Sequence, residues 1–141
     1  MLHEFFHAFQ DSPLFYPGGI AQYAAQINSA GIRTTTPGYA NLEFERAVFE
    51  DIANGYPSAL SGATTDQQQA YQTWLSIITN NFTSYPNLIS GTDAYNQFIS
   101  NFSGFLNDFN NIPNNVYHSD LLSIAPNALI NFLSNANPHC Q

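Results

Sequence analysis

TDAYNQFISNFSGFLNDF, residues 92–109, places apolar side chains three or four positions apart along its whole length. This spacing follows the 3.6-residue period of an α-helix and brings the apolar side chains onto one face. They are Tyr95, Phe98, Ile99, Phe102, Phe105, Leu106 and Phe109. Thr92 or Asp93 can cap the first turn, and the asparagines from Asn110 to Asn115 end the pattern. We therefore expect an amphipathic helix that packs through its aromatic face.

Shorter segments on both sides carry the same helical period. They predict helices over residues 1–11, 20–27 and 39–53, a helix capped by Thr65-Asp66, and a short one that begins at Pro126. In the first of these the expected contact face is Leu2, Phe5, Phe6 and Phe9. No strand of convincing length is indicated. The sequence predicts a mainly α fold, with residues 1–141 in a single domain.

The charge balance is strongly acidic, with ten carboxylates against two arginines and a net charge of -8. Two isolated arginines, Arg33 and Arg46, cannot form the basic surface that nucleic acid or an anionic membrane requires. No apolar run reaches the ~20 residues of a membrane-spanning helix. Because Cys140 is the single cysteine, an intramolecular disulfide and a cysteine-based zinc cluster are both excluded. His139 and Cys140 are interpreted as tail residues.

The segment His3-Glu4-Phe5-Phe6-His7 is an H-E-x-x-H sequence within the first predicted helix. Residues four apart lie one above the other on a helix, so both imidazoles can point at one metal ion. Glu4 follows the first histidine directly and can take a proton from a metal-bound water. We therefore expect a zinc site with His3 and His7 as ligands.

A third ligand should come from the acidic segment 41–51, which reads NLEFERAVFED. Glu43 and Glu45 point to nearly opposite sides of a helix, so only one of them can face the histidines. Glu50 or Asp51, one or two turns later, could orient a ligating histidine. Arg46 is spaced to pair with Glu43 or Glu50.

The H-E-x-x-H helix followed by a glutamate helix resembles the gluzincin branch of zincin metallopeptidases. Several such families carry E-x-x-A-D or E-x-x-A-N on the second helix, and that pattern matches Glu43 to the ligand and Phe49 to a frequent aromatic position. Arg46 then stands where alanine is usual and Ala47 where Asp or Asn is usual, which keeps Glu45 as the alternative ligand. His7-Ala8-Phe9-Gln10 also looks like the H-A-x-Q continuation of some bacterial members. The resemblance covers about residues 3–51.

The resemblance implies a zinc metallopeptidase that hydrolyses peptide or protein substrates. Its helical zincin-like region would place the active-site helix at the N-terminus, then the glutamate helix, then a C-terminal helical bundle. His3, His7 and Glu43 would bind Zn²⁺, and Glu4 would activate the bound water. Zincins normally carry a sheet before this helix, whereas two residues precede His3 here. That difference suggests either an N-terminally truncated sequence or a substrate cleft that is built differently. If an upstream signal peptide is missing from this sequence, a secreted or cell-envelope protein is favoured.

Several weaker candidates surround this hypothesis. Tyr117 and His118 could stabilise the oxyanion of a peptidase, or they belong to an ordinary surface loop. Tyr16, Tyr23 and Tyr39 could line a cleft. Two other functions remain open: a zinc-binding helical interaction module without catalysis, and a plain helical bundle with a fortuitous motif.

Overall fold

The computed structural model describes residues 1–16, 18–22, 26–27, 33–34, 39–119 and 125–136. These residues form five α-helices and confirm the mainly α class. The helices are α1 (Leu2–Gln10), α2 (Tyr39–Asn54), α3 (Thr65–Ile78), α4 (Asp93–Asn110) and α5 (Asn127–Ala136). Between α1 and α2 lie a 3₁₀ turn, Ile20–Gln22, and two short antiparallel strands, β1 (Gln26–Ile27) and β2 (Arg33–Thr34).

Helix α2 is the centre of the molecule, with α1, α4 and α5 packed against it. Phe49 of α2 stacks on Phe6 of α1 with ring centroids 4.4 Å apart. On another side, Phe44 contacts Phe102 of α4 at 5.0 Å. Because this helix is covered on several sides, its charged side chains need partners inside the protein.

Helices α3 and α4 follow the pattern predicted for them. The aromatic face of α4 is buried, and its first turn is capped by the Thr92 hydroxyl, which accepts from the Tyr95 N–H. The cap of α3 is Thr64, one residue before the predicted Thr65-Asp66, because Gln67 completes a reciprocal capping box with it. Helix α2 ends at Asn54 as expected, where Gly55 adopts a φ of 67°.

The predicted contact face of α1 is confirmed at Phe6 and Phe9, which belong to the core or pack against it, and is wrong at Leu2 and Phe5. Leu2 and Phe5 are 39% and 54% exposed, whereas Phe6 and the polar Gln10 are fully buried. The cause lies on α2, which offers an apolar contact to Phe6 and a hydrogen-bond acceptor to Gln10 and thereby buries a mixed face of α1.

The predicted helix over 20–27 is wrong beyond its first turn. The 3₁₀ turn ends at Gln22, and Ile27 pairs with Arg33 across the short ladder. Four apolar residues are too few to favour a helix over a local backbone pairing. Tyr23 lies outside the described residues.

Candidate metal centre

Helices α1 and α2 run antiparallel along their contact, which aligns the H-E-x-x-H motif with the acidic segment. His3 lies opposite Glu50, and His7 lies opposite Glu43. At the end of α1, Gln10 reaches the carbonyl of Leu42. Residue numbers rise along α1 while those of their partners fall along α2, so each turn of α1 lies against a defined turn of α2.

One possible ligand atom from each of His3, His7 and Glu43 lies within 4.8 Å of the other two. Nε2 of His7 is 3.6 Å from Oε1 of Glu43, and the two imidazole rings meet edge to face at 4.7 Å between centroids. Donors of a tetrahedral zinc site, with bonds of 2.0–2.1 Å, stand about 3.3 Å apart. Two imidazoles and one carboxylate therefore form a donor set that could hold a metal ion such as Zn²⁺ once these atoms move closer together.

Arg46 holds the two carboxylates beside the histidines, which confirms that it pairs within this segment. Its Nε donates to Oε2 of Glu43 at 3.1 Å, and its Nη1 donates to Oε2 of Glu50 at 2.6 Å. Glu43 thereby keeps Oε1 toward His7. Oε1 of Glu50 lies 3.7 Å from Nδ1 of His3, which is close to this imidazole but beyond hydrogen-bond distance, so the role of Glu50 in orienting His3 stays a prediction.

Of the two carboxylates expected to orient a histidine, Asp51 is the wrong alternative. Its carboxylate accepts the N–H groups of Ser58 and Ala59 together with the hydroxyls of Ser58 and Tyr71. Burial, together with the nearby Asp51 charge, raises the pKa of Tyr71 well above its ordinary value. The hydrogen bonds of Asp51 therefore connect the loop after α2 to α3 and do not involve the candidate metal centre.

Glu45 points away from the histidines and is fully buried. It accepts hydrogen bonds from Nε2 of Gln10 at 2.8 Å, the hydroxyl of Tyr16 at 2.7 Å and the N–H of Leu129 at 2.8 Å. Burial raises the pKa of Glu45 to about 7, although these hydrogen bonds oppose the shift. The structure thus brings Glu43, and not Glu45, to the histidines.

The other candidate residues lie around this cluster or apart from it. Glu4 is exposed on α1, next to His3. Tyr117 packs against Tyr39, one turn before Glu43, with ring centroids 5.6 Å apart. Nδ1 of His118 lies 3.0 Å from the carbonyl of Asn110. The oxyanion roles of Tyr117 and His118 stay predictions.

The expected tyrosine-lined cleft is not formed by the tyrosines that the structure describes. Tyr16 is 1% exposed and bonds to Glu45, and Tyr39 is 6% exposed. His139 and Cys140 lie outside the described residues.

Gln10 is the residue of this region that sequence reasoning left without a role. It is fully buried, and its Oε1 lies 2.8 Å from Nδ1 of His7. Its position three residues after His7 on the same helix was the available signal, because residues three apart on a helix are neighbours.

Comparison with known proteins gives no significant match to any family model, curated protein or solved structure. Among the described residues, no helix is both long and apolar enough to cross a membrane.

Proposed function

We propose that this protein is a zinc-dependent peptidase in which His3, His7 and Glu43 hold Zn²⁺ and Glu4 is the general base. The observation that carries the proposal is the convergence of the three donors within 4.8 Å, beside the glutamate of an H-E-x-x-H motif. The first two ligands come from one turn of α1, and the third comes from α2.

The charge around the cluster supports a divalent cation. The two helices that carry the cluster contribute three carboxylates, those of Glu4, Glu43 and Glu50. Among the described ion pairs, Arg46 is the arginine that pairs with Glu43 and Glu50. With neutral imidazoles, about two negative charges remain for an ion of charge +2 to balance. A bound Zn²⁺ would polarise the scissile carbonyl and lower the pKa of water.

The side chains around the cluster have separate roles in solvent access, proton transfer and ligand orientation. Glu43 has 9% of its side chain exposed, whereas His3 has 43%, so the cluster opens to solvent on the α1 side. Glu4, an exposed residue next to His3 in the chain, accepts the proton of the attacking water and delivers it to the leaving amine. Arg46 keeps Glu43 in the orientation that directs Oε1 to the ligand position.

Metal analysis of the purified protein tests the ligand assignment. We expect about one zinc per chain, lost in His3→Ala and in His7→Ala because each removes one of three ligands. His118→Ala is the matched control, since this histidine contacts Asn110 instead. Zinc retained at the wild-type level in both His3→Ala and His7→Ala would overturn the assignment.

Peptide cleavage tests the reaction separately from metal binding. Glu4→Gln should keep its zinc and lower kcat/KM at least 100-fold, the ordinary contribution of a general base. Asp66→Asn, an exposed carboxylate of α3, is the matched control and should cleave like the wild type. One zinc per chain without cleavage of a broad library of quenched peptides would instead favour a non-catalytic zinc-binding module.

A further inference from the structure

We infer that Gln10 is a positioning residue that fixes the neutral tautomer of His7, with the hydrogen on Nδ1 and the lone pair on Nε2. The tautomer follows from hydrogen bonds of the chain alone. Its consequence for metal binding rests on the function proposed above.

The surroundings of Gln10 allow one orientation of its side-chain amide. Nε2 lies 3.0 Å from the carbonyl oxygen of Leu42 and 2.8 Å from Oε2 of Glu45. A backbone carbonyl can accept but never donate, so the group facing Leu42 must be the amide nitrogen. Turning the amide over would bring Oε1 against the Leu42 carbonyl in a site with no solvent exposure, which is costly.

Glu45 is itself held, so it cannot move to accommodate a reversed amide. Tyr16 donates to the same Oε2 that Gln10 contacts, and the N–H of Leu129 in α5 donates to Oε1. The orientation of Gln10 is therefore set by α2 and α5 and by the segment that follows α1, and not by α1 alone.

With the amide fixed, Oε1 of Gln10 faces His7 and can only accept. Nδ1 of His7, 2.8 Å away, must then carry the hydrogen, since two acceptors at this distance would repel. A neutral imidazole has one N–H, so Nε2 is left with its lone pair. That nitrogen points to Glu43 at 3.6 Å, the position from which it would bind a metal.

Free histidine in water favours the opposite tautomer, with the hydrogen on Nε2. In that tautomer Nε2 has no free lone pair and cannot bind a metal. Gln10 thus holds the metal-free His7 in the tautomer that a metal ligand needs. Hydrogen bonds of this kind to a ligating histidine typically change metal affinity 10- to 100-fold when removed.

Ring ¹⁵N–¹H correlation spectra of the metal-free, ¹⁵N-labelled chain, recorded where histidines are neutral, test the inference directly. We expect the Nδ1–H tautomer to dominate at His7 in the wild type. In Gln10→Met, which keeps the length of the side chain without its acceptor, the Nε2–H tautomer should gain. Gln67→Met is the control, because Gln67 bonds to Asp108 away from His7.

A wild-type His7 found mainly as the Nε2–H tautomer would overturn the inference. This measurement uses the wild type alone and does not depend on the folding of a variant. An unchanged tautomer in a folded Gln10→Met would overturn it as well. Zinc titration then separates the two proposals, with an expected 10- to 100-fold loss of affinity in Gln10→Met. If His7 has the expected tautomer but the wild type binds no zinc, the tautomer inference stands and the proposed peptidase function fails.

Discussion

Glu43 and Glu45 are two residues apart on α2 and acquire opposite surroundings. Glu43 faces α1. Arg46 donates a hydrogen bond to one of its carboxylate oxygens, and His7 lies near the other. Glu45 faces the interior, where Gln10, Tyr16 and the backbone of α5 donate hydrogen bonds to it and no solvent reaches it. Because desolvation outweighs these donors, the pKa of Glu45 rises to about 7. Buried carboxylates of this kind couple stability to pH.

Glu45 should make the protein less stable as the pH rises from about 5 to 8. Its pKa is about 7 in the folded chain and 4.5 in an ordinary environment, so the folded state binds the extra proton in this interval. Its stabilising contribution is therefore complete below pH 4.5 and is lost as the pH passes through 7. At 1.36 kcal/mol per pKa unit, the contribution is about 3 kcal/mol.

Urea unfolding of the metal-free protein at several pH values measures this effect. Relative to wild type, Glu45→Gln should gain about 2–3 kcal/mol of unfolding free energy between pH 5 and pH 8, because it removes the titrating group. Glu4→Gln changes an exposed carboxylate and should run parallel to wild type. A Glu45→Gln profile that also runs parallel to wild type would contradict the prediction.

Among the helices, α4 shows how far an apolar period determines packing. Phe98, Phe102, Leu106 and Phe109 are all buried against α2 and α3, as their spacing predicts. Phe102 is 1% exposed and contacts Phe44 and Phe98. The face of α4 is thus a main source of the stability of the core.

Truncation of this face should be costly. Phe102→Ala removes a fully buried ring and should lower the free energy of unfolding by about 3–5 kcal/mol, the usual cost of such a cavity. Ile77→Ala on α3, where the side chain is 73% exposed, should change it by less than about 0.5 kcal/mol. Urea midpoints of the two variants check the difference, and similar midpoints would argue against the packing of α4.

The first two helices show where sequence alone is insufficient. The period of α1 correctly indicates that Phe6 and Phe9 reach the core. However, the helix also turns His3, His7 and Gln10 toward α2. This choice depends on the polar side chains of α2, which lie more than thirty positions away in the chain. Helical spacing sufficed to predict that His3 and His7 share a face, since both belong to one helix.

The same limit applies to the other members of the centre. Spacing reduced the third ligand to Glu43 or Glu45, because they point in opposite directions, but the choice required the packing of α1. Spacing likewise leaves Glu50 or Asp51 as the partner of a histidine, whereas the hydrogen bonds of Asp51 go to the loop after α2 and to Tyr71. A sequence pattern fixes which side chains share a helix face but not which neighbour that face meets.

At the scale of the whole molecule, the candidate centre joins two helices that are separated by the short strands and the 3₁₀ turn. A metal held by His3 and His7 on one side and by Glu43 on the other would link α1 to the central helix. Such a link would exist only in the folded chain, so metal binding and folding would be coupled.

Zinc should therefore raise the melting temperature, and a chelator should lower it again. At a free zinc concentration of 100 Kd the stabilisation is about 2.7 kcal/mol, equivalent to roughly 5–10 °C for a chain of this size. Calorimetry with added zinc and then with excess chelator measures the shift. Glu43→Gln should melt with a much smaller shift, while His118→Ala should respond like the wild type. Equal shifts in Glu43→Gln and wild type would show that zinc stabilises the chain elsewhere, because only the former lacks the ligand that α2 contributes.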